Sequence, residues 1–461
     1  MASSTVIATF YNFGETSLDK GRIRLLTSDS TSSPAYTPAP GSGTSIDNTD
    51  LIAFYFNGGN NSGLRVLVVE REYDSSYNQL PCYISVYNPS SWTATVARDN
   101  NYTYSGTSQK ILNVYGILSP SGGTFYGTDY STGRVFKMTH SISGSTESLS
   151  LASDYYPFAA TEAGASVYSV ALALIDSYLY AIAQQYTKSG SGTSPSDYTY
   201  YGSIIAKLNP ASLGTAVATT DDAAPNAFDI QVYDGNLYVT ALGGPQWYGD
   251  PDDPSTIKWN YESRIQKVTT SLVVTNLVRP ADDTETGKTD DKFDIRSLAI
   301  LSDGTAYILT GSYDQNYSMN GRFWKTTMAK INGLSDGLIT DITIPVPRQV
   351  VPPISSASGY LWVALPADDL SRAWGMLGDN LGVYATSLSG STIGAAAASG
   401  GGWTAGTPSF NAISLAEPAT TFAKELTVRT LRGYVHPVMA SGEGIPTEER
   451  KKFIQAHFEK K

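Results

Sequence analysis

Three stretches of the chain follow one pattern: IQVYDGNLYVTALGG (230–244), LAILSDGTAYILTGS (298–312) and VALALIDSYLYAIAQQ (170–185). Each reads as an apolar strand, a tight turn and a second strand that begins with an aromatic residue. The turn is Asp-Gly or a close substitute, which supplies the positive φ that a two-residue hairpin needs. Looser copies are VYGILSPSGGTFYGTDYS (114–131) and ASGYLWVALPADD (357–369). A repeated β-hairpin is therefore the building unit of the chain.

The aromatic residue of the second strand measures the length of the repeat. It falls at Tyr126, Tyr180, Tyr238, Tyr307 and Trp362, with spacings of 54, 58, 69 and 55 residues. One further step back reaches Val68, and one further step forward reaches Phe422, so seven units are predicted. The spacing alone also admits six or eight units, because the mark at Phe422 depends on distance rather than on the motif.

Each unit continues with a third strand, a turn that contains Asn-Pro or Gly, and a fourth strand. Examples are SIIAKLNPASLGTAVATT (203–220), SRIQKVTTSLVVTNLV (263–278) and TMAKINGLSDGLITDITI (327–344). Four antiparallel strands per unit are typical of a propeller blade. The last unit, 411–437, supplies three strands at most. The N-terminal segment VIATFYN (6–12) is expected to add the missing outer strand, which closes the ring and protects the exposed edges.

With these repeats the chain resembles seven-bladed β-propellers of the YVTN or quinoprotein type, whose blades also read DGxLYV followed by a lysine-bearing strand and an NPxT turn. The resemblance covers about residues 4–437. It implies an all-β fold of seven four-stranded antiparallel blades, and it implies little about activity, because propellers carry many unrelated functions. The predicted domains are a propeller over 1–437, then a linker and a short charged helix over 438–461, where Thr447 opens the helix.

Composition narrows the function classes. The net charge is −11, from 31 basic and 42 acidic residues, which argues against a nucleic-acid partner. A single Cys excludes a disulfide scaffold and a thiolate metal cage, and three His argue against a multi-His metal site. No apolar run is long enough to span a membrane. Residues 1–14 lack a signal peptide, which taken alone indicates a cytoplasmic or otherwise non-Sec protein. Abundant Ser, Thr, Gly and Tyr are instead typical of secreted, periplasmic or cell-surface proteins, so a removed signal is expected in preference to a cytoplasmic location.

Aromatic residues concentrate in five predicted inserts between the second and third strands: 73–81, 186–202, 245–262, 313–326 and 370–380. In a four-stranded blade these loops and the blade-to-blade connections emerge at the same end. Aromatic side chains with polar tips suit sugar-binding and protein-binding surfaces, and they also suit packing between long loops. The candidate ligand-binding residues are Tyr198, Tyr200, Trp247, Tyr248, Trp259, Tyr313, Trp324 and Trp374.

Polar residues at the expected mouth of the central channel form a second candidate site. Asp229 and Asp294 each follow Phe and precede Ile at the start of an inner strand, and Asn113 is expected at the corresponding position of its own blade. They could bind a cation or a polar ligand, or they could cap backbone N–H groups of the connections. No cofactor is predicted. A calcium site at Asp250, Asp252 and Asp253 is a weaker hypothesis, because these residues lack the spacing of a calcium loop.

Three functions fit these observations. The first is a non-enzymatic extracytoplasmic binding or surface-assembly protein that binds a glycan or a protein through the aromatic loops. The second is a carbohydrate-active hydrolase or lyase with carboxylates at the channel mouth, which would leave no linear motif. The third is a structural subunit of a surface layer, appendage or virion, with contacts through the loops and the C-terminal helix.

Overall fold

The computed structural model describes residues 5–13, 21–26, 35–36, 45–56, 63–73, 82–87, 95–99, 101–104, 107–111, 114–121, 123–189, 198–243, 247–248, 258–259, 263–280, 294–300, 304–313, 319–342, 344–345, 361–365, 372–377, 382–387, 407–416 and 429–432. This part of the chain is almost entirely β-strand. The strands of its first half are β1 (Thr5–Phe13), β2 (Gly21–Leu26), β3 (Ala35–Tyr36), β4 (Ser45–Phe56), β5 (Gly63–Tyr73), β6 (Tyr83–Tyr87), β7 (Thr95–Asp99), β8 (Asn101–Tyr104), β9 (Thr107–Lys110), β10 (Val114–Ser121), β11 (Thr124–Asp129), β12 (Arg134–Ser143), β13 (Thr146–Pro157), β14 (Ser166–Ile175), β15 (Tyr178–Lys188), β16 (Tyr198–Asn209) and β17 (Ser212–Ala223).

The second half adds sixteen strands and a short α-helix to the described part. These strands are β18 (Ala227–Tyr233), β19 (Asn236–Ala241), β20 (Trp247–Tyr248), β21 (Lys258–Trp259), β22 (Arg264–Val268), β23 (Val274–Arg279), β24 (Asp294–Ile300), β25 (Thr305–Tyr313), β26 (Met319–Thr327), β27 (Gly337–Leu338), β28 (Ile344–Pro345), β29 (Leu361–Leu365), β30 (Arg372–Leu377), β31 (Gly382–Ser387), β32 (Thr407–Ala416) and β33 (Arg429–Arg432). The helix is α1 (Met328–Asn332), and 3-10 turns lie at Tyr130–Thr132 and Ile339–Asp341.

Seven sheets of four or five strands, here called blades 1 to 7, account for most of the described strands. In order from the first strand outward they are β4-β5-β6-β7, β10-β11-β12-β13, β14-β15-β16-β17, β18-β19-β22-β23-β27, β24-β25-β26-β28, β33-β29-β30-β31 and β32-β1-β2-β3. Hairpins β8–β9 and β20–β21 form two small separate sheets. All pairs are antiparallel except β23 with β27 in blade 4.

The first strands of successive blades lie against one another. Strand β4 contacts β10, β10 contacts β14, β14 contacts β18, β18 contacts β24, and β24 contacts β33. Strand β32 contacts both β4 and β29, so blade 7 touches blades 1 and 6. The predicted class, an all-β propeller of four-stranded antiparallel blades, is therefore confirmed.

The two ends of the chain share blade 7, but not in the way that the sequence predicts. Strand β1 pairs with β32 from Thr5 opposite Ala416 to Phe13 opposite Thr407. The N-terminal strand is thus second in its blade and not the outer strand, because β2 and β3 continue the sheet outward. The segment 411–437 is also divided between two blades, since β33 pairs with β29 of blade 6. Phe422 and the charged C-terminal segment 438–461 lie outside the described residues.

The turns between first and second strands have the backbone that the repeat predicts. Asp234 and Gly235 have φ of 47° and 67°, both in the left-handed region, between β18 and β19. Asn236 Nδ2 donates to the Asp234 carbonyl at 2.8 Å and holds the turn. Between β14 and β15 the turn residues are Asp176 and Ser177 in place of Asp-Gly, and Asp176 has a φ of 53°. These residues set the register of each hairpin, because a two-residue turn of this type matches the strand twist.

The hydrophobic core is divided into layers between neighbouring blades. One layer joins blades 2 and 3 around Leu179 and Leu208, the next joins blades 3 and 4 around Ile182 and Val239, and a third joins blades 4 and 5 around Ile265. Inner strands are covered on both faces, so β15 is apolar and buried almost throughout rather than alternating. The exposed outer strand β17 has the opposite composition.

The repeated tyrosine of the second strand joins each blade to the next. In three consecutive blades its hydroxyl donates to the turn between the third and fourth strands of the following blade, or to the helix that replaces that turn. The bonds are Tyr126 Oη to Pro210 O at 3.2 Å, Tyr180 Oη to Thr270 O at 3.3 Å, and Tyr238 Oη to Asn332 Oδ1 at 2.8 Å. The lysine of the third strand supports this bond: Lys207 Nζ donates to the same Thr270 carbonyl at 3.0 Å.

Blade 1 makes the same connection with an ion pair. Arg65 in GLRV aligns with Tyr238 in NLYV, and it reaches Glu147 just after the turn between β12 and β13 of blade 2. Arg65 Nε lies 3.1 and 3.0 Å from the two carboxylate oxygens, and a terminal guanidinium nitrogen lies 2.6 Å from Oε1. The mark at Val68 is therefore on the correct strand, β5, but three residues beyond the matching position.

Blade 5 departs from the predicted strand order. The segment 327–344, interpreted above as third and fourth strands, begins with helix α1, and the third strand is β26 within the predicted insert 313–326. Thr327 Oγ1 accepts from the Lys330 backbone N–H at 3.3 Å and caps the helix. Met328 and Ile331, three positions apart, are buried on its inner side.

Candidate functional site

All of the aromatic candidates except Trp324 lie at the end of the blades where the second strand passes to the third, here called the 2–3 face. Most of them belong to strands rather than to loops. Strands β15 and β16 continue through the predicted insert 186–202, with Tyr186 opposite Tyr200 and Lys188 opposite Tyr198. The prediction of a long open loop in blade 3 was therefore wrong outside residues 189–197.

Five tyrosines of blades 2 and 3 pack together at the 2–3 face. This tyrosine cluster consists of Tyr130, Tyr168, Tyr186, Tyr198 and Tyr200. The rings of Tyr168 and Tyr186 are stacked, with centroids 4.7 Å apart and planes within 5°. Tyr130 lies 4.7 Å from Tyr168, and Tyr198 and Tyr200 lie 5.5 and 5.2 Å from Tyr186. The cluster links the end of one blade to the start of the next.

Burial shows what the cluster does. Tyr130 and Tyr198 are each 6% exposed. Burial, with a smaller contribution from the neighbouring Tyr168 hydroxyl, raises the pKa of Tyr186 far above its ordinary value. The Tyr186 hydroxyl therefore stays protonated and acts as a hydrogen-bonding group, not as a base. In this blade the aromatic residues mainly pack on each other.

Tyr130 and Tyr168 were not among the sequence candidates. Tyr130 lies in the short turn between β11 and β12, and Tyr168 lies near the start of the inner strand β14. Their partners come from another strand or another blade, so no local pattern joins them. The stretch GTDYS (127–131) was visible as part of a repeat, but its role depends on the neighbouring blade.

Blade 4 carries a tryptophan hairpin at the 2–3 face. Strands β20 and β21 lie within the predicted insert 245–262 and pair with Trp247 opposite Trp259 and Tyr248 opposite Lys258. Directly opposed residues of an antiparallel pair share one side of the hairpin. This register brings two candidate tryptophans together from positions twelve residues apart.

The remaining aromatic candidates lie in blade ladders. Tyr313 ends β25 and pairs with Met319, whereas Trp324 in β26 pairs with Ile308. Trp374 lies in β30, the third strand of blade 6. The prediction of loops in the inserts 313–326 and 370–380 was thus wrong for the described residues 313, 319–326 and 372–377. Insert 73–81 begins with the last residue of β5, and its other residues lie outside the described part.

The inner strands share a β-bulge near the end at which they begin. In blades 2 to 5 one residue of the first strand has no partner on the second strand. The skip always falls between the partners of the second and third residues after the repeated aromatic of the second strand. The skipped residues are Tyr115, Val170, Phe228 and Arg296. A bulge bends its strand and redirects the residues beside it. Equivalent positions at the mouth must therefore be assigned by pairing and not by counting along the chain.

Pairing separates the two acidic candidates of the mouth. Asp229 pairs with Thr240, two residues past Tyr238, whereas Asp294 pairs with Gly311, four residues past Tyr307. The expected equivalence of Asp229 and Asp294 was therefore wrong. The position in blade 4 that matches Asp294 is Asn226, whose carbonyl accepts from Leu242 N–H at 3.1 Å, four residues past Tyr238. Asn113 lies outside the described residues.

Asp229 is half-buried, and its carboxylate has backbone and side-chain contacts. Its Oδ1 accepts from the Ile230 N–H at 2.9 Å and lies 3.5 Å from Gln231 Nε2. Ile230 belongs to β18 and not to a blade-to-blade connection, so this contact does not test the capping role that the sequence left open. A carboxylate oxygen accepts more than one bond.

The calcium candidates Asp250, Asp252 and Asp253 lie outside the described residues. Within the described chain, no group of three or more His, Cys, Asp or Glu side chains is placed to hold a metal. The same part of the chain contains no helix with the length and apolar character needed to cross a membrane.

A groove of about 640 Å³ lies between blades 3 and 4, beside the end of β17. Its polar groups are largely used within the protein. Gln266 accepts from Ala224 N–H and donates to Asn276 Oδ1, both at 2.7 Å, and Arg264 pairs with Asp336 at 2.8 Å. The groove is a polar joint between blades.

Comparisons with known proteins find only distant structural similarity. No protein-family model matches the chain, and no curated protein matches it. A functionally unknown protein from Desulfotomaculum acetoxidans DSM 771 is 11% identical with a TM-score of 0.36, and the match covers 86% of this chain and 98% of that one. An alpha-L-arabinofuranosidase from Fusarium graminearum is 11% identical with a TM-score of 0.40, over 71% and 91%.

A third similar structure is a subtype N11 neuraminidase-like protein of A/flat-faced bat/Peru/033/2010. It is 9% identical with a TM-score of 0.37, and the match covers 85% of this chain and 96% of that one. All three structures are only distantly similar to this chain, with identities of 9–11% and TM-scores of 0.36–0.40.

Proposed function

We propose that the protein is a non-enzymatic extracytoplasmic binding protein that uses the 2–3 face of its propeller to hold a glycan. The observation that carries this proposal is the tryptophan hairpin of blade 4, in which Trp247 is paired with Trp259. Tryptophan is a residue type that offers a large apolar area with a polar edge at small conformational cost, and the ladder holds two of them at directly opposed positions. The extracytoplasmic setting rests on the composition, rich in Ser, Thr, Gly and Tyr.

The neighbouring tyrosine cluster supports this role by its rigidity. Blade 3 lies beside blade 4, since β14 contacts β18. Because Tyr130 and Tyr198 are buried, the cluster fixes the end of blade 3 and gives the 2–3 face a firm base. Preorganised surfaces lose less entropy on binding.

A glycan array on the purified protein, followed by titration of tryptophan fluorescence, tests the proposal. The variant Trp247→Ala/Trp259→Ala should weaken binding of the selected glycan by about 1–3 kcal/mol per ring. Its unfolding midpoint should stay close to wild type, because β20–β21 is separate from the blade ladders. Val273→Ala is the matched control: Val273 is 59% exposed and lies in the turn of blade 4 at the opposite end.

The result that contradicts the proposal is equal glycan affinity in the wild type and the double variant, or no glycan bound at all. A protein ligand is the other outcome at this face. It would be indicated by binding to a purified protein partner that the double variant abolishes and Val273→Ala retains.

A carbohydrate-active enzyme is the second candidate, and the partly exposed Asp229 at the channel mouth favours it. Glycoside cleavage needs two carboxyl groups about 5–10 Å apart. The single variants Asp229→Asn and Asp294→Asn should then each abolish release of product from a panel of polysaccharides. Absence of any product with the wild-type protein would remove this candidate.

A structural subunit of a surface assembly is the third candidate, with contacts through the C-terminal segment. Deleting residues 438–461 should then convert an oligomer to a monomer, which light scattering measures. A wild-type protein that is monomeric at high concentration would contradict this role.

A further inference from the structure

Two buried polar side chains of blade 4 stand out near the channel mouth. Asn226 and Thr240 are each 1% exposed. Both amide atoms of Asn226 and the hydroxyl of Thr240 have no hydrogen-bond partner among the residues that the structure describes. A buried polar atom without a partner costs about 1–3 kcal/mol, so native proteins almost always satisfy such atoms. Three of them in one region indicate a site for an ion or a small polar ligand.

The backbone places the two side chains beside Asp229. Thr240 pairs with Asp229 across β18 and β19, and the Asn226 carbonyl is bonded to Leu242 N–H at 3.1 Å. One rung, Ala227 with Ala241, lies between these two, so Thr240 and Leu242 point to the same side of β19. The site therefore brings together a carboxylate, a carboxamide and a hydroxyl at the end of the inner strands.

The faces of strand β19 show which blade the site adjoins. Val239 and Ala241 belong to the core layer shared with blade 3. Tyr238 belongs to the layer shared with blade 5. Since side chains alternate along a strand, Thr240 lies on the Tyr238 side and faces blade 5. There Ser263 Oγ accepts from the Ile295 N–H at 2.8 Å, so blades 4 and 5 are held together beside the site.

Blade 2 contains the same rung with a different partner. Thr128 lies two residues past Tyr126, as Thr240 lies two residues past Tyr238, and it pairs with Gly116. The Gly116 N–H donates to Thr128 Oγ1 at 2.9 Å in the buried interior. In blade 4 the residue opposite the threonine is Asp229 in place of glycine. The hydroxyl of Thr128 is therefore used in a hydrogen bond to the backbone of blade 2, whereas Thr240 at the same position of blade 4 lies opposite a carboxylate.

We propose that Asn226 Oδ1, Thr240 Oγ1 and the Asp229 carboxylate form a cation site between blades 4 and 5, and that it takes a hard divalent ion of the Ca²⁺ type. All of the donors are oxygens, which hard cations prefer. One carboxylate with neutral oxygens leaves several positions on the ion for water. The Ile230 N–H fixes the orientation of Asp229 at 2.9 Å without consuming its charge.

The experiment uses the full-length protein after removal of metals with a chelator. Thermal unfolding and calorimetric titration are measured with CaCl2 alone and with MgCl2 alone. Wild type should bind Ca²⁺ and unfold at a higher temperature in its presence, because a ligand that binds the folded state stabilises it. Thr240→Val and Asp229→Asn should weaken Ca²⁺ binding by about tenfold or more and lose most of the shift.

Two further variants separate the site from general destabilisation. Thr240→Ser keeps the hydroxyl and should retain the shift. Thr128→Val is the matched control: it should lower the midpoint with or without Ca²⁺, because it leaves the buried Gly116 N–H unsatisfied, and it should keep the shift. Without metal, Thr240→Val should unfold at the same temperature as wild type or higher, since it removes an unpaired buried hydroxyl.

Two results would overturn the proposal. The first is wild-type protein that neither binds Ca²⁺ or Mg²⁺ calorimetrically nor changes its midpoint. The second is full retention of Ca²⁺ binding in Thr240→Val and Asp229→Asn, which would place the ion elsewhere on this acidic chain. Neither result depends on glycan binding, so the proposed function is tested separately.

Discussion

The ion pair between blades 1 and 2 allows a quantitative prediction for the substitution Glu147→Gln. Arg65 is 6% exposed, and its guanidinium makes three contacts of 2.6–3.1 Å with the Glu147 carboxylate. His140, 2% exposed, lies 2.9 Å from Glu147 Oε2. Glutamine keeps the shape of the side chain but removes the charge and one acceptor. The buried Arg65 guanidinium then loses the counter-charge of Glu147.

The expected loss follows from that change. Removing one partner of a buried ion pair costs about 3–5 kcal/mol, since the other charge stays desolvated. Glutamine still offers one oxygen to Arg65, so we expect the lower end, about 3 kcal/mol. Replacing both residues by apolar ones, as in Arg65→Met/Glu147→Leu, removes the buried charge altogether. The double variant should therefore be more stable than the sum of the two single changes indicates.

Urea unfolding followed by circular dichroism measures these differences, with the slope m unchanged between variants. Asp336→Asn is the matched control, because it makes the same carboxylate-to-carboxamide change in an ion pair whose carboxylate is 44% exposed. Exposed pairs contribute about 0–1 kcal/mol, and asparagine tolerates the positive φ of this position, 50°. If Glu147→Gln costs no more than Asp336→Asn, the reasoning about the buried pair is wrong.

Three other outcomes are expected. Burial lowers the pKa of His140 below its ordinary 6.5, although the neighbouring Glu147 carboxylate acts to raise it. Burial acts to raise the pKa of Glu147, but the hydrogen bonds and charge of Arg65 outweigh burial and hold that pKa below 4.5. The free energy of unfolding should therefore fall as pH drops through 6.5 and again below 4.5, and a flat urea midpoint from pH 7 to 5 would contradict the first step. Tyr180→Phe should cost about 0.5–1 kcal/mol in the same assay, since Lys207 still satisfies the turn carbonyl; a cost above 2 kcal/mol would contradict this. Gly127→Ala should cost about 1–3 kcal/mol, because a methyl group there collides with the Phe136 ring, and an unchanged melting midpoint would show that the ring moves aside.

The repeat was predictable because its signals are local. The turn at Asp234 and Gly235 needs positive φ at two positions, and few residue pairs adopt it. The aromatic residue that follows marks the second strand in blades 2 to 6. What the sequence could not show is why that residue recurs. The bond from Tyr180 to Thr270 crosses to the next blade, 90 residues along the chain.

Strand lengths were predictable only in part. Polar and aromatic residues between the second and third strands suggested loops, but β15 and β16 continue in register as far as Lys188 opposite Tyr198. A ladder extends as long as both strands find partners, and β-branched and aromatic residues favour it. The sequence of blade 5 does contain signals of a helix: Thr327 is a suitable N-cap, and the apolar Met328 and Ile331 are three residues apart. The expected four-strand repeat nevertheless led to the prediction of strands in this segment.

The position of the N-terminal strand shows the limit of edge arguments. The N-terminal strand was expected to cover an open edge of the last blade, because an exposed sheet edge promotes aggregation. That argument does not say which strand of the blade is missing. Strand β32 forms the first strand, so β1 had to be second, and β2 and β3 provide the outer strands.

The candidate cation site depends on a comparison that sequence alone cannot make. Thr128 and Thr240 occupy the same rung of two blades, and nothing in their local sequence distinguishes them. Their partners do: Gly116 brings its N–H to Thr128, whereas Asp229 stands opposite Thr240. The bulge in each first strand shifts the count by one, so the partner is known only once the register is known. A repeat fold thus supplies its own internal control, because a departure at one rung is measured against the same rung in the other blades.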